Sequence, residues 1–424
     1  MNRWEEALPE FLGRQRWFAG HDARDAEIVD RAQLDDRLEW LMVEAGGARY
    51  SLLVGRAKGA TPEFLHGHDD AFLGLFDDEL HYDAVHDADL MKALLARFAP
   101  DHEVERMRPM GAEQSNTSLV FDDRLVLKVF RRVQAGLNPD IEVTGALADT
   151  GFAHVAAPLA TWERGGTHLA VLQPFLSGGI DGWALALTSL RDLYGNDCTD
   201  PADCGGDFAA ESRRLGAVTA QMHVALAAAF GTREADVDEW VGLMERQIER
   251  VGAEAPWRDG ATAVFERFRA LARPGPAIRV HGDYHLGQVL RTDVGWFVLD
   301  FEGEPARPLE ERRALSSPLK DVAGMLRSFH YASAVALRDR PEEEWEALAP
   351  LGAAWEQRNR NAFLDGYLDA DGIAELLPPD PGDTAAALAA WELDKAVYEV
   401  AYERDHRPDW VEIPETAISR LIEG

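Results

Sequence analysis

The chain has 424 residues, 46% hydrophobic and 28% charged, which is ordinary globular material for two or three packed units and neither a disordered tail nor a coiled coil. A formal net charge of −32 opposes non-specific binding to nucleic acid or to an anionic membrane, since either polyanion is repelled. Cys198 and Cys204 are the only cysteines, without His partners at metal-ligand spacing; residues 1–20 lack the continuous apolar core of a signal peptide, no later stretch approaches a membrane span, and a cytoplasmic protein is expected.

Residues 1–99 alternate short strand-like runs (40–43, 50–54) with Gly-bearing turns and end in a helical pattern over 87–98. They read as a small α+β unit with no chemistry of its own. A second unit, 100–176, follows the order strand, turn, strand, helix, strands. Within it, 118–132 reads as a hairpin turning at Asp122-Asp123, and 138–151 as a helix with Asp140 near its start and Gly151 past its end. Gly111 to Ser118 end in small polar residues, of which Ser115, Asn116, Thr117 and Ser118 could present N–H groups and hydroxyls to phosphate oxygens; a plain turn has the same composition. Lys128 stands inside the apolar run 125–130, one of five lysines in the chain. A half-buried strand lysine is costly unless paired, and Glu142, early in the next helix, is its expected partner. That pairing is how kinases hold the α and β phosphates. The apolar strand 169–172 then exits at Gln173 to Leu176, where a kinase hinge would offer backbone groups to adenine.

From 177 to 424 the apolar spacing of three and four makes the chain mostly helical, interrupted by residues 281–302, HGDYHLGQVLRTDVGWFVLDFE. Here Asp283 follows a short apolar strand (278–280), Gln288 comes five residues later, Gly295 supplies a turn, and Asp300 ends a second apolar strand (296–299). Phosphoryl transfer needs a carboxylate to orient or deprotonate the attacking hydroxyl, and oxygen ligands for magnesium beside the phosphates. Asp283 suits the first task; Gln288 and Asp300 suit the second. Either aspartate alone reads equally well as a turn or strand-end residue.

With HGDYHLGQ, DFE and the strand lysine, together with RQRWFAG, EQSNTSLVF, ERRALSSPLKDVAGMLRSF and LDKAVYEVAYE, the chain resembles the aminoglycoside phosphotransferase and choline-kinase group, and most of all maltokinases and actinobacterial glucosamine kinases. The resemblance implies an α+β, bilobal eukaryotic-like kinase fold: an N-terminal cap (1–99), a nucleotide-binding subdomain (100–176) and a helical C-lobe (177–424). It implies ATP, Mg²⁺ and transfer of the γ-phosphoryl group to a sugar hydroxyl, with Asp283 as base, Gln288 and Asp300 as metal ligands and Lys128 as phosphate anchor. Glu302, where many kinases have the glycine of DFG, would support the metal or pair with Arg307 or Arg312.

The acceptor should lie beside Asp283, among His285, Asp321, Arg327 and the helix around 391–405. There Trp391, Asp394, Tyr398 and Tyr402 share one face, with Glu392, Glu399 and Glu403 as a neighbouring stripe. An aromatic ring for stacking and carboxylates for hydroxyls suit a sugar, and an amphipathic packing helix has the same pattern. Arg404 and Asp405 depart from the maltokinase sequence, and an added carboxylate near the acceptor favours a cationic amino sugar by about 1–4 kcal/mol at contact distance. The expected reaction is therefore glucosamine to glucosamine 6-phosphate, with maltose to maltose 1-phosphate as the alternative. A catalytically dead sugar-sensing scaffold would lack one of Lys128, Asp283, Gln288 or Asp300, and all four are present.

Overall fold

Residues 40–43 and 52–54 are apolar at every position, so the hairpin they form must be covered on both faces. Leu38, Trp40, Met42 and Leu53 enter one buried cluster, while Leu41, Val43, Tyr50, Leu52 and Val54 enter another. The structure, a computed structural model, describes residues 6–18, 23–59, 61–110, 116–196, 198–204, 206–252, 255–304 and 309–423. It comprises two units, Met1–Gly145 with Ala156–Ser177, and Ala146–Val155 with Gly178–Gly424.

Among the described residues, the first unit holds two antiparallel sheets. Strands β1 (Glu27–Asp35), β2 (Leu38–Ala45), β3 (Ala48–Lys58), β4 (Phe72–Phe76) and β5 (Glu79–Asp83) make one, in the order β1-β2-β3-β5-β4. Helix α1 (Leu8–Gly13) closes its outer face with Leu8, Phe11 and Leu12. Helix α2 (Ala88–Phe98) starts where Asp87 accepts the amides of Asp89 and Leu90, and sends Leu90, Met91, Leu94 and Leu95 into the inner core. Strands β6 (Met107–Pro109), β7 (Asn116–Phe121) and β8 (Leu125–Phe130) form the second sheet with β10 (Ala160–Arg164) and β11 (Thr167–Pro174), ordered β10-β11-β8-β7-β6. Asp122 and Asp123 both take positive φ, 52° and 53°, which gives the β7–β8 turn its hand. Two-residue β9 (Arg132–Val133) leaves this sheet and pairs with β3 of the first. Helix α3 (Pro139–Asp149) follows, with Asn138 accepting the Asp140 amide at 2.8 Å.

The second unit is mainly helical: α4 (Gly182–Gly195), α5 (Ala209–Phe230), α6 (Val237–Val251), α7 (Arg258–Arg269), α8 (Leu309–Arg313), α9 (Leu319–Arg338), α10 (Glu342–Leu368), α11 (Pro381–His406) and α12 (Glu412–Glu423). Helices α5 and α10 cross at two glycines. A Cβ on Gly216 would come within 2.0 Å of Phe363 O, and one on Gly366 within 1.9 Å of Arg213 O. Cys198 and Cys204 are joined as a disulfide in the α4–α5 connection, Cα atoms 5.9 Å apart.

The hairpin expected between 278–280 and 296–299 forms differently. Strand β14 (Ala277–Ile278) pairs with β13 (Thr232–Arg233), and the partner of β16 (Gly295–Val298) is β15 (Val289–Thr292), joined on its other edge by β12 (Ile180–Asp181). Residues 281–288 are thereby freed from strand pairing and become a loop, held by side chains instead.

Candidate active site

That loop is held chiefly by one carboxylate. Asp321, near the start of α9 and 1% exposed, accepts the amides of His281 (2.7 Å) and Gly282 (2.9 Å) and the Nε2 of His223 from α5 (3.1 Å). Burial alone would raise its carboxyl, but the hydrogen bond and charge of His223 and the Gly282 amide hold it below the usual range. Tyr367 hydroxyl lies 2.8 Å from His223 Nδ1, fixing the imidazole from behind. Within the loop, the Asp283 amide donates to His281 Nδ1 (3.4 Å) while His281 Nε2 lies 2.9 Å from Leu299 O. A neutral His281 protonated on Nε2 satisfies both contacts. His281 thus ties the backbone of Asp283 to the end of β16.

Asp283 is half-buried. Its Oδ1 lies 3.6 Å from Lys395 Nζ, and its Oδ2 lies 4.0 Å from His285 Nε2. His285 Nδ1 accepts the Gly287 amide at 3.1 Å, and burial pushes this imidazole below its ordinary value against the pull of Asp283. A short turn over Leu286–Gln288 then brings Gln288 to Asp300, whose Oδ2 lies 3.5 Å from the Gln288 amide nitrogen. Asp300 has φ 59°, a left-handed conformation that aspartate tolerates better than most residues. The expected pair of oxygen donors is brought together. Glu302, two residues on, has its backbone carbonyl bonded to Arg312 Nη1 at 3.0 Å; Arg307 lies outside the described residues.

A pocket opens beside Asp283, entirely within the second unit. Asp283, Asp321 and Trp391 line it as expected, joined by Gln247, Glu304, Lys320, Asp394, Lys395 and Tyr398. Trp391 is 5% exposed, packs edge-on to Trp240 and Phe268, and its buried indole N–H has no hydrogen-bond partner among the described residues. Gln247 Nε2 donates to the Asp394 carbonyl at 2.9 Å and steadies that end of α11. Lys395 also stands over the Tyr398 ring, 4.9 Å from its centroid.

Six residues expected at the acceptor, His285, Arg327, Glu399, Tyr402, Glu403 and Asp405, are not among those lining the pocket. Glu399 is paired with Arg327 of α9 (Nη2 at 2.7 Å), and Glu403, 2% exposed, accepts from Tyr331 (3.1 Å) and Arg407 (2.8 Å). Tyr402 stacks on His406 at the surface, and Asp405 is exposed beside it. The pocket-lining residues of α11 are 391, 394, 395 and 398, two turns of one face. Tyr402 continues that face beyond the pocket, whereas Glu399 is rotated about 100° from Tyr398. Gln247, Glu304, Lys320 and Lys395 were not anticipated. Lys320 and Lys395 had a signal in the scarcity of lysine; Gln247 had none.

In the first unit, Lys128 Nζ lies 3.1 Å from Asp140 Oδ2, with side-chain exposures of 13% and 4%. Asp140, two residues before the expected Glu142, is thus a partner of the lysine, and it sits at the start of α3, where a carboxylate also meets the positive end of the helix. Ser118 pairs directly with Lys128 across β7–β8, and Asn116 with Phe130, so Asn116, Ser118 and Lys128 share one face of the sheet. Thr117 points to the other face, its hydroxyl accepting Arg131 Nε at 2.8 Å, which takes that side chain away from the lysine face. Ser115 lies outside the described residues. At the strand exit the Phe175 amide is already bonded to Arg124 O at 2.8 Å.

Residues 106–356 match the profile of the phosphotransferase enzyme family, and residues 11–87 match that of the maltokinase N-terminal cap domain. A glucosamine kinase of Streptacidiphilus jiangxiensis is 30% identical over 348 residues, covering 78% of this chain and 76% of that protein. One of Mycolicibacterium smegmatis is 29% identical over 336 residues, covering 74% and 79%. A solved glucosamine kinase in complex with glucosamine, ADP and inorganic phosphate has the same fold, with a TM-score of 0.69 over 99% of both chains at 24% identity. A second crystal form of a glucosamine kinase gives 0.67 over 100% of both chains at 25% identity. No helix among the described residues is long and apolar enough to cross a membrane.

Proposed function

We infer the reaction from family membership together with the pocket: the chain belongs to the phosphotransferase enzyme family, and it transfers the γ-phosphoryl group of ATP to glucosamine, giving glucosamine 6-phosphate. The observation that carries the choice of acceptor is the lining of the pocket beside Asp283. Asp283, Glu304, Asp321 and Asp394 outnumber Lys320 and Lys395, so the cavity is acidic, and the unpartnered Trp391 N–H offers one donor for a hydroxyl. A cationic amino sugar gains from that field and a neutral disaccharide does not. The two glucosamine kinases at about 30% identity support the same acceptor.

In this reading Asp283 orients the attacking hydroxyl and accepts its proton. Asp321 sets the backbone of residues 281–282 so that this carboxylate is presented at one angle. Lys128, held by Asp140, anchors the nucleotide phosphates, with Asn116 and Ser118 on the same face. The side chains of Gln288 and Asp300 lie side by side, and a carboxylate with an amide oxygen suits a hard cation that keeps most of its waters, so these two would hold Mg²⁺, with Glu302 in support. When bound, the metal would neutralise charge on the phosphates. The three-part division at 99 and 176 accompanies this reading, with the cap and nucleotide-binding parts together in the first unit.

The deciding assay measures ADP release with ATP and Mg²⁺ against glucosamine, maltose, glucose and aminoglycosides. Glucosamine should exceed maltose in kcat/KM by about tenfold or more. Faster turnover of maltose would sink the acceptor assignment and restore the maltose 1-phosphate alternative. Asp283→Asn in the same assay should lose about 10²–10⁴ in kcat with ATP affinity retained.

A further inference from the structure

Lys128 lies three residues before a point where the chain changes sheets. Strand β8 ends at Phe130, the Ser51 amide donates to the Arg131 carbonyl at 2.8 Å, and β9 then pairs with β3 through Tyr50↔Arg132 and Arg49↔Val133. The strand bearing the phosphate-anchoring lysine is thus continued as an edge of the cap sheet. At the crossing sits Arg131, 1% exposed. Its Nη2 donates to Asp83 Oδ2 at the end of β5 (2.6 Å), and its Nε donates to Thr117 Oγ1 on β7 (2.8 Å). Its guanidinium stands 5.1 Å from the centroid of the Trp17 ring. Nη1 is buried and has no hydrogen-bond partner among the described residues.

A guanidinium removed from water is retained at a cost, and packing alone would be served by an apolar side chain of similar size. Arg131 instead spends its directional bonds on two places that bracket Lys128. Asp83 fixes it to the cap sheet. Thr117 is the neighbour of Ser118, which pairs across the ladder with Lys128, and it stands within the small polar run 115–118. A planar fork holds both at fixed angles, as an ammonium cannot. We propose that Arg131 is a positioning residue for nucleotide binding, setting the β7–β8 pair, and with it Lys128, against the cap sheet through Asp83 and Thr117. This rests on the reading of Lys128 as the phosphate anchor.

Thr117→Val tests the link while leaving Arg131 and Asp83 in place. The KM for ATP should rise about tenfold, the equivalent of one lost hydrogen bond to a charged group, with the KM for glucosamine and kcat within about twofold of the parent. Asp83→Asn should move the same constant in the same direction, and Arg131→Lys should not restore it. A purely structural brace would lower the melting temperature and the active fraction without a selective change in the KM for ATP. An unchanged KM for ATP in Thr117→Val and Asp83→Asn, measured on protein that unfolds cooperatively, overturns the proposal. Failure of the parent enzyme to turn over ATP would instead overturn the underlying reading.

Discussion

Asp321 shows how much of a site can rest on one side chain that has no need to touch a reactant. It accepts two consecutive backbone amides and an imidazole while fully enclosed, and asparagine in its place can accept with only one oxygen. Asp321→Asn should therefore destabilise the protein by about 2–3 kcal/mol at neutral pH, because at least one buried donor loses its acceptor. The pH dependence has a definite sign. The folded carboxyl titrates below its ordinary value of 3.8, so its contribution is complete above about pH 5 and is lost as pH falls through the folded value. Urea unfolding of parent and variant at neutral pH, about pH 5 and about pH 3.5 should show a gap that is constant between the first two and narrower at the third. A gap that widened on acidification would contradict the ionised state assigned to Asp321. The sequence makes Asp321 a candidate against the sugar, and the structure gives it a wall of the pocket and, beyond that expectation, the loop behind Asp283.

Helix α11 is indexed by two arginine contacts on its side away from the pocket, one bidentate and one forked onto a single carboxylate oxygen. Arg360 of α10 grips Glu392 (2.7 and 2.9 Å), and Arg327 of α9 grips Glu399 (3.0 and 2.7 Å), seven residues on. Seven residues are two turns, so the two contacts fix both rotation and height of the stripe Trp391, Asp394, Lys395 and Tyr398. Glu399→Ala leaves Arg327, whose side chain is 3% exposed, without its counter-ion, at a cost of about 3–5 kcal/mol. The KM for glucosamine should rise more than the KM for ATP, since α11 lines the acceptor pocket; equal changes would detach α11 from acceptor positioning. Helical periodicity alone had already found this face of α11 and the helices around it. It did not say how far along the helix the pocket runs, so Tyr402 and Asp405 were included one and two turns too far. Nor did local pattern reveal β15, a four-residue strand preceded by a tight turn, or Gln247, which reaches Asp394 across 147 positions of sequence. Contacts of that separation leave no trace in a window of a dozen residues.

At the scale of the whole molecule, 75 acidic residues against 43 basic ones set a long-range field that treats the two substrates oppositely. The protein repels a nucleotide polyanion and attracts an ammonium-bearing sugar, and salt screens both effects within about 8–10 Å at ordinary ionic strength. Raising the salt from about 20 to about 200 mM should therefore lower the KM for ATP and raise the KM for glucosamine, each by roughly two- to fivefold, at fixed free Mg²⁺. A parallel drift of both constants would show that local contacts outweigh the field.

The division of the chain bears on how it is made. Residues 146–155 interrupt the first unit in sequence but belong to the second, where His154 Nδ1 meets Trp296 O and Val155 bridges Val298. The strands that complete the first unit, β10 and β11, leave the ribosome soon afterwards, yet the partners of 146–155 appear 142 residues later. At about 5–20 residues per second, the nascent protein carries a finished N-terminal part with a ten-residue segment, the last turn of α3 and the residues after it, awaiting its partner for roughly 7–30 s. During synthesis that segment, which includes Phe152 and Val155, is the exposed apolar stretch a holding chaperone would meet first.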